Sequence, residues 1–488
     1  MNRRERRRAA GALVAAGLLL AACTSTTHGH GRAGPRAAPS PATSPASTAS
    51  TGSGGPPSGS TAPGSCTAYA APDPRRPRMR LRFVIAADHR TVTGTEHVEF
   101  RPDRPITELV FRLTANTRPT VAEGNSIEVR AASASPAGPH YRFTRANAAP
   151  QTQGGLLHVP LASRIAAGTT VSADLAFRLR LGTDSFDRFG TAGDFAYFGS
   201  AEPLLAWQRG YGWHTEDMIE FPAESATSEA MAVDLTVVAP ARDTVIMSGD
   251  PAEPPKTGAT RTWHSTIATA RDVSVAAGPF AVSDTVVDGV RLRLGAPTAT
   301  IRDGLVPEFH RAITQLARRF GPFPFPSLSV ARLPASGGGI EYPSSILMLD
   351  GSRLVAVHET AHQWFYAMVG DSQALHPWLD EAFAQYAEEL VDGTQARDAG
   401  AIGAPGNVDA STESYGDDVN AYYFTTYDKG AAALFAARTA AGPARWDAAL
   451  RCYAARNAWR IAEPSDLRAA LANLPAAIRV LRRAGALR

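Results

Sequence analysis

The spacing of apolar residues changes along this chain, and that change restricts the possible folds more than any other feature. Up to about residue 290, apolar and polar residues alternate, as in 79–85 and 233–237. Alternation with a period of two is typical of strands that bury one face. From about residue 300 the spacing becomes helical, first in 305–320, which Gly321 and Pro322 end. The sequence therefore predicts an α+β protein, in which an antiparallel β domain precedes an α-rich domain.

Length and charge exclude two broad classes of protein. The chain has 488 residues, 44% of them hydrophobic, which is enough for a large core and excludes a wholly disordered protein. Its formal charge is +3, but residues 1–22 hold five Arg and one Glu, which leaves −1 for the remainder. No basic surface and no nucleic-acid partner are therefore expected.

The first residues have the organisation of an export signal. Five arginines precede an apolar stretch, 9–22, that is shorter than the roughly 20 residues needed to span a membrane. The segment ends in Leu-Ala-Ala-Cys23, which resembles a bacterial lipobox, where the cysteine is lipidated and becomes the mature N-terminus. We expect residues 1–22 to be a lipoprotein signal peptide. Cys23 would then anchor an exported bacterial lipoprotein to the cell membrane, on its extracytoplasmic side. An ordinary signal peptide cut near Ala22 is the alternative.

A low-complexity segment follows. Residues 24–65 consist almost entirely of Thr, Ser, Pro, Gly and Ala, and they contain no Leu, Ile, Val or aromatic residue. Such a composition cannot bury enough apolar surface to offset the entropy lost on ordering. The predicted organisation is therefore a disordered tether over 23–66, a β domain over 67–290 and a second domain over 291–488.

The cysteine count excludes a disulfide-dense scaffold, because there are only three. If Cys23 carries lipid, Cys66 and Cys452 remain, and two cysteines of an exported protein can form a disulfide. They stand at opposite ends of the folded region, and the sequence does not show whether their Cα atoms come close enough. A disulfide and two free thiols both stay open here.

The α-rich part contains a pattern of metal-binding residues. His358, Glu359 and His362 stand in a stretch, 354–369, that has good helix formers and no Pro or Gly. Residues i and i+4 share one helix face, so the two imidazoles can bind one Zn²⁺. Glu359 beside them can take a proton from metal-bound water. A chance match is the alternative, because a pattern with three fixed positions recurs in any large proteome.

A third ligand is predicted eighteen residues beyond this pattern. Two helices are expected, near 352–369 and 377–391, with 370–372 ending the first. Glu381 falls early in the second helix, after enough chain to turn and bring a carboxylate back to the metal. Two His and one Glu form a catalytic zinc set whose fourth position is open to water. A solvated helix residue is the alternative for Glu381, because other acidic residues are nearby.

Four segments, in this order along the chain, resemble the motifs of the M1 aminopeptidases, a family of gluzincin peptidases. They are 338–343 (Gly-Gly-Ile-Glu-Tyr-Pro), 358–364 (His-Glu-Thr-Ala-His-Gln-Trp), 378–383 (Trp-Leu-Asp-Glu-Ala-Phe) and 427–430 (Tyr-Asp-Lys-Gly). The resemblance covers roughly residues 75–480. It implies a saddle-like N-terminal β domain and a thermolysin-like zinc peptidase domain over 291–488, without the family's long helical C-terminal domain. The shortened C-terminal part implies a more open cleft.

The resemblance also implies roles around one zinc ion per chain. His358, His362 and Glu381 would be its ligands, and Glu359 the general base that passes a proton to the leaving amine. Tyr427 would donate a hydrogen bond to the oxyanion of the tetrahedral intermediate. A core tyrosine is the alternative for Tyr427.

The segment around Glu341 implies an exopeptidase. Its carboxylate would pair with the free α-amino group of a peptide substrate, a charge that an internal peptide bond lacks. Gly338 and Gly339 have no side chains and would let a substrate strand approach the backbone. Ile340 and Tyr342 replace the Met and Asn of the classical motif, which leaves the geometry of the amine site open.

The predicted function is a zinc-dependent aminopeptidase that hydrolyses N-terminal residues from peptides. The alternatives are a zinc endopeptidase of the gluzincin type, against which Glu341 argues, and a non-catalytic surface lipoprotein with a degenerate peptidase fold, against which the complete catalytic set argues. Glu202 is a candidate second ligand for the substrate amine, which the sequence does not decide. His376 and Asp380 are expected to have structural roles or to support the ligands, rather than to bind metal.

Overall fold

A computed structural model describes residue 66 and residues 68–183, 188–219, 221, 227–394 and 399–488. The predicted signal peptide, Cys23 and the tether up to residue 65 lie outside these residues, so their assignments stay predictions. Every helix in the part of the chain that the structure describes is too short or too polar to span a lipid bilayer.

The first part of the described chain is built almost entirely of strands. In chain order they are β1 (Arg78–Ile85), β2 (Thr91–Phe100), β3 (Ile106–Arg112), β4 (Ser126–Ser135), β5 (Arg142–Thr144), β6 (Leu156–Ile165), β7 (Val171–Arg180), β8 (Phe189–Ala192), β9 (Phe195–Gly199), β10 (Leu204–Leu205), β11 (Trp207–Gln208), β12 (Gly212–Trp213), β13 (Met231–Pro240), β14 (Thr244–Met247), β15 (Thr260–Ala270) and β16 (Ser274–Gly278). A 3₁₀ turn, Thr114–Asn116, and a short helix, α1 (Arg118–Ala122), interrupt them.

The alternating pattern gives strands with one buried face. In β1, Met79, Leu81, Phe83 and Ile85 are buried, whereas its arginines are exposed. This strand lies in a six-stranded sheet of order β15-β13-β1-β2-β7-β4. The predicted antiparallel pairing is right for every neighbouring pair except β1 and β13, which are parallel. The exception arises because a long stretch of chain separates these two strands and can return in either direction.

One apolar core joins this sheet to two smaller sheets, of order β10-β3-β6-β5 and β14-β16-β9-β8. The Phe83 ring packs edge to face against Phe177 and Phe198, with ring centroids 5.9 and 4.9 Å apart. Burying one such side chain contributes ~1.5–3 kcal/mol to folding. The β-rich part therefore has a core of its own.

The second part of the chain begins with a mixed sheet. Its strands are β17 (Ala281–Val287), β18 (Val290–Ala296), β19 (Ser327–Arg332), β20 (Gly339–Tyr342) and β21 (Ser345–Met348). Their order is β17-β18-β19-β21-β20, so β20 is an edge strand, antiparallel to β21. The predicted boundary at 290/291 falls after the first residue of β18, a strand that pairs with β17 along its whole length. The predicted domain limits stay predictions.

Helices form most of the rest. They are α2 (Ala299–Phe320), α3 (Arg353–Ala361), α4 (Glu381–Asp392), α5 (Val419–Tyr423), α6 (Gly430–Ala441), α7 (Pro443–Arg456), α8 (Pro464–Ala470) and α9 (Pro475–Arg483). A π-helix, Phe424–Lys429, joins α5 to α6, and 3₁₀ turns occupy Pro377–Leu379, Ala399–Gly403 and Thr412–Tyr415. A short parallel pair, β22 (Val369–Gly370) and β23 (Arg460–Ile461), completes the elements. A β-rich part followed by a helical part confirms the predicted α+β class.

The limits of two predicted helices differ from the observed ones. Helix α2 starts at Ala299, earlier than predicted, because the Thr298 hydroxyl accepts a hydrogen bond from the amide of Ile301 and caps the helix. The predicted helix over 352–369 was wrong in its second half, since α3 ends at Ala361. The chain then turns through Tyr366, whose φ is 119°, and enters β22. Pairing of β22 with a distant strand overrides the local preference for helix.

A disulfide closes the fold. Cys66 pairs with Cys452 in α7, with Cα atoms 5.0 Å apart, which decides between the two alternatives left open by the sequence. The residues that follow Cys66 are held in place as well. The Ala70 amide donates a hydrogen bond to the Ala455 carbonyl, and the Trp364 indole donates one to the Tyr69 hydroxyl. The start of the described chain is therefore fastened to the helical part.

Candidate active site

Two imidazoles project from the end of helix α3. His358 lies in its last turn, and His362 is the C-cap residue, with φ −60° and ψ −14°. Although the helix ends at Ala361, this helical backbone keeps the i, i+4 relationship, and the two rings have centroids 4.8 Å apart. The predicted pair of histidines is therefore brought together.

Glu381 is the first residue of α4 and completes the cluster. Its Oε2 lies 3.3 Å from His358 Nε2 and 3.4 Å from His362 Nε2. Zinc binds nitrogen and carboxylate oxygen at about 2.0–2.2 Å, so neighbouring ligand atoms of a tetrahedral site are about 3.3–3.5 Å apart. Both the donor types and their separations fit a zinc ion.

The outer ring nitrogens of both histidines face carboxylates. His362 Nδ1 lies 2.5 Å from Asp380 Oδ1, and His358 Nδ1 lies 3.3 Å from Glu388 Oε2. Such partners fix the ring orientation and leave Nε2 for a metal. The supporting role expected of Asp380 matches this placement. The role of Glu388 was missed, although its position seven residues after Glu381 places it on the same helix face.

Burial and charge set the protonation of the carboxylates. Burial disfavours the charged form of Glu381, but the facing imidazoles of His362 and His358 outweigh it and hold its pKa well below the usual range. Glu359 is also buried, and burial raises its pKa to about 7. The pKa values of the two carboxyl groups are thus shifted in opposite directions. Glu381 is ionised and suited to bind metal, whereas Glu359 can exchange a proton near neutral pH.

Glu359 packs directly against the backbone of strand β20. A Cβ atom added to Gly339 would lie 2.3 Å from Glu359 Cγ, so the space that glycine leaves is occupied by this side chain. A Cβ added to Gly338 meets nothing within 4 Å. Gly339 is therefore required by Glu359 itself, and the predicted close approach of substrate stays a prediction for both glycines.

Glu341 reaches the same cluster from the edge strand. Its carboxylate, that of Glu359 and a ring nitrogen of His362 all lie within 4.8 Å of one another. Glu341 is 3% exposed, and the side-chain amide of Gln373 lies 3.5 Å from its Oε1. An ammonium group held by this carboxylate would therefore stand beside the predicted base and one predicted zinc ligand.

Tyr427 lies beside His358. Its ring is parallel to the His358 ring, at 7° between planes, with centroids 6.0 Å apart. It lies in the π-helix Phe424–Lys429, an irregularity that frequently occurs at functional sites. Tyr422 is fully buried, whereas Tyr427 is half-buried, so Tyr427 is the better placed to meet a substrate.

Two other predicted residues lie outside the ligand clusters of the described chain. His376 contacts Asp409 and Glu463 at 2.6 and 3.1 Å, which makes it part of a structural network. Glu202 is fully buried, and burial, followed by the charge of Asp272, raises its pKa to about 8. Its proposed contact with the substrate amine stays a prediction.

Comparison with known proteins finds similarity to the family that the four motifs resemble. Residues 344–482 match the family model described as Peptidase family M1 domain. Curated relatives from Oryza sativa subsp. japonica include Aminopeptidase M1-B, 28% identical over 185 residues, and Aminopeptidase M1-C, 26% identical over 185 residues. Each match covers 31% of this chain and 21% of the relative, so the chain spans about a fifth of these relatives' length. The family model confirms the resemblance to M1 peptidases.

Solved structures share this architecture over most of the chain. An M1 zinc metallopeptidase from Deinococcus radiodurans has a TM-score of 0.63 and 21% identity, and the match covers 84% of this chain and 94% of that one. A mutant M1 zinc metallopeptidase from Deinococcus radiodurans bound to a Tyr-ser-ala substrate has a TM-score of 0.61 and 20% identity, with the same coverage. At these identities the similarity establishes the fold.

Proposed function

We propose that this protein is a zinc-dependent aminopeptidase with one zinc ion per chain, in agreement with the match of residues 344–482 to the Peptidase family M1 domain. The observation that carries the proposal is the position of Glu341, whose carboxylate lies within 4.8 Å of donor atoms of Glu359 and His362. A negative charge fixed at that distance selects a substrate whose N-terminal ammonium ends beside the reacting atoms. The peptide bond that follows the first residue would then be the one cleaved.

The residues divide the reaction among them. His358, His362 and Glu381 would hold the zinc ion, which supplies polarisation of the scissile carbonyl and a lowered pKa of bound water. Glu359, with a pKa raised to about 7 by burial, accepts the proton of the attacking water and delivers it to the leaving amine. The Tyr427 hydroxyl donates a hydrogen bond to the oxyanion.

Hydrolysis of aminoacyl fluorogenic amides by the purified protein tests the proposal. Free-amine substrates should be cleaved, N-blocked counterparts should not, and a zinc chelator should abolish the activity. Glu341→Gln should raise KM for free-amine substrates about 10- to 100-fold, because a hydrogen bond to a charged group contributes ~1.5–3 kcal/mol. If the wild type cleaves free-amine and N-blocked substrates alike, and Glu341→Gln leaves both rates unchanged, the result favours an endopeptidase.

The proposal includes attachment of the protein to the membrane through a lipid on Cys23. The support is the sequence alone: the arginines, the apolar stretch and the Leu-Ala-Ala-Cys23 sequence. Cys23→Ala should move the protein from the membrane fraction to the soluble fraction and leave cleavage of small amides unchanged. Equal distribution of variant and wild type between the fractions would contradict lipidation.

A further inference from the structure

Gln373 lies in the loop between β22 and the 3₁₀ turn Pro377–Leu379, and it is 1% exposed. Its amide Nε2 lies 3.2 Å from Asp380 Oδ2 and 3.5 Å from Glu341 Oε1. We propose that Gln373 is a positioning residue that fixes two carboxylates at once, the one that faces the substrate amine and the one that orients a zinc ligand. The inference rests on the proposed function for the meaning of Glu341.

The chemistry of the neighbours determines which way this amide points. Both facing atoms are carboxylate oxygens, which accept hydrogen bonds, so the amide must present its NH₂ group and not its carbonyl oxygen. An amide nitrogen carries two hydrogens, one for each carboxylate. A single neutral group therefore stabilises two buried acceptors without adding charge to the site.

The contacts of Asp380 extend this link to the metal site. Its Oδ2 accepts from Gln373, and its Oδ1 faces His362 Nδ1. A continuous chain of side chains thus runs from Glu341 through Gln373 and Asp380 to His362. All four residues are at least 97% buried, so water cannot readily replace the amide.

Loss of the two N–H groups should loosen both ends of this chain. Glu341 would lose one of the groups that hold it beside the reacting atoms, and Asp380 would lose one of the groups that fix its orientation behind His362. Partners of metal-bound histidines typically change metal affinity 10- to 100-fold when mutated. For Gln373, one contact further away, we expect a change of about tenfold in zinc affinity and about tenfold in KM.

The test uses Gln373→Met, which keeps the length of the side chain and removes both donors, and Gln385→Met as a matched control. Gln385 is also buried and donates to a single carboxylate, Glu389, at 3.2 Å in helix α4. Zinc affinity is measured by competition with a chromophoric chelator, and KM and kcat with a free-amine amide. Gln373→Met should weaken zinc binding and raise KM by about tenfold each, with a smaller effect on kcat, whereas Gln385→Met should stay within twofold of wild type.

Two further variants separate positioning from general destabilisation. Gln373→Glu has the same shape but places a third carboxylate between two others, so its losses should exceed those of Gln373→Met. In the Glu341→Gln background, Gln373→Met should change KM by less than threefold, because the group it positions is already gone. Wild-type zinc affinity in both Gln373 variants, or a full tenfold KM effect in the Glu341→Gln background, would overturn the proposal.

The two readouts also separate this inference from the proposed function. If the wild type binds zinc but cleaves no free-amine substrate, the aminopeptidase proposal fails. The chelator competition still decides whether Gln373 supports the metal site, because it needs no substrate. Normal cleavage by the wild type with unchanged zinc affinity and KM in both Gln373 variants would refute the inference alone.

Discussion

The contact between Gly339 and Glu359 permits a sharp test of where the general base must stand. With alanine at position 339, the new Cβ would lie 2.3 Å from Glu359 Cγ and 2.6 Å from its Oε1. Ordinary contacts begin near 3.4 Å, so the carboxylate must move by about 1 Å. Gly339 does not have a positive φ, so alanine adds no backbone strain of its own. The substitution therefore acts on the position of Glu359.

The expected size of the effect follows from that displacement. A misplacement of about 1 Å costs roughly 10²-fold in rate, which corresponds to ~2.7 kcal/mol of transition-state stabilisation. We expect kcat of Gly339→Ala on an aminoacyl amide to fall by about that factor. Zinc content and the melting temperature, measured in parallel, should stay near the wild-type values.

Gly338→Ala is the matched control, because a Cβ at that neighbouring position meets nothing within 4 Å. It should leave Glu359 in place and retain kcat within about twofold of wild type, and any effect on the predicted approach of substrate to Gly338 should appear in KM. If Gly339→Ala keeps full kcat with zinc bound, Glu359 does not act from the position that the structure shows. Equal losses in both variants would point to movement of the β20 segment as a whole.

Two further predictions concern stability. Glu96 is buried in the β core, and burial, followed by the charge of Glu202, raises its pKa well above the usual value. The folded protein therefore keeps a proton on Glu96 that the unfolded chain releases above about pH 4.5. Folded stability should thus fall with pH above that point, by up to ~1.4 kcal/mol per pH unit, and Glu96→Gln should be more stable than wild type at pH 7 but similar at pH 4. A pH-independent difference in chemical denaturation would contradict this. Replacing Cys66 and Cys452 together by Ser should destabilise the fold by ~2–5 kcal/mol, because their bridge closes a loop with a sequence separation of 386; an unchanged melting temperature would show that the bridge adds nothing.

The candidate zinc-binding histidines could be predicted from the sequence because helix geometry is local. His358 and His362 share a helix face wherever the helix lies, and the gap to Glu381 allows one turn and a return. The same local reasoning predicted a longer α3 helix than the structure has. It missed the pairing of β22 with β23, which lie far apart in sequence and meet only in the folded chain.

The roles of Gln373 and Gly339 depend on contacts that no local pattern encodes. Gln373 stands in a loop without periodicity, and its two partners come from an edge strand and from the start of α4. From the sequence, Gly339 was predicted to let a substrate strand approach the backbone. In the structure, the space that its missing side chain leaves is occupied by Glu359.

By itself the sequence determined the α+β division and the candidate histidine pair, because both follow from periodicities of two and 3.6 residues within single elements. Glu381 was predicted from its distance along the chain and from the resemblance to M1 aminopeptidases. Only the tertiary structure decided that Cys66 meets Cys452, that Glu388 supports His358, and that one amide lies between Glu341 and Asp380. These contacts join segments that are distant along the chain, and their distances are set by how the sheet edge, the helices and the loops pack together.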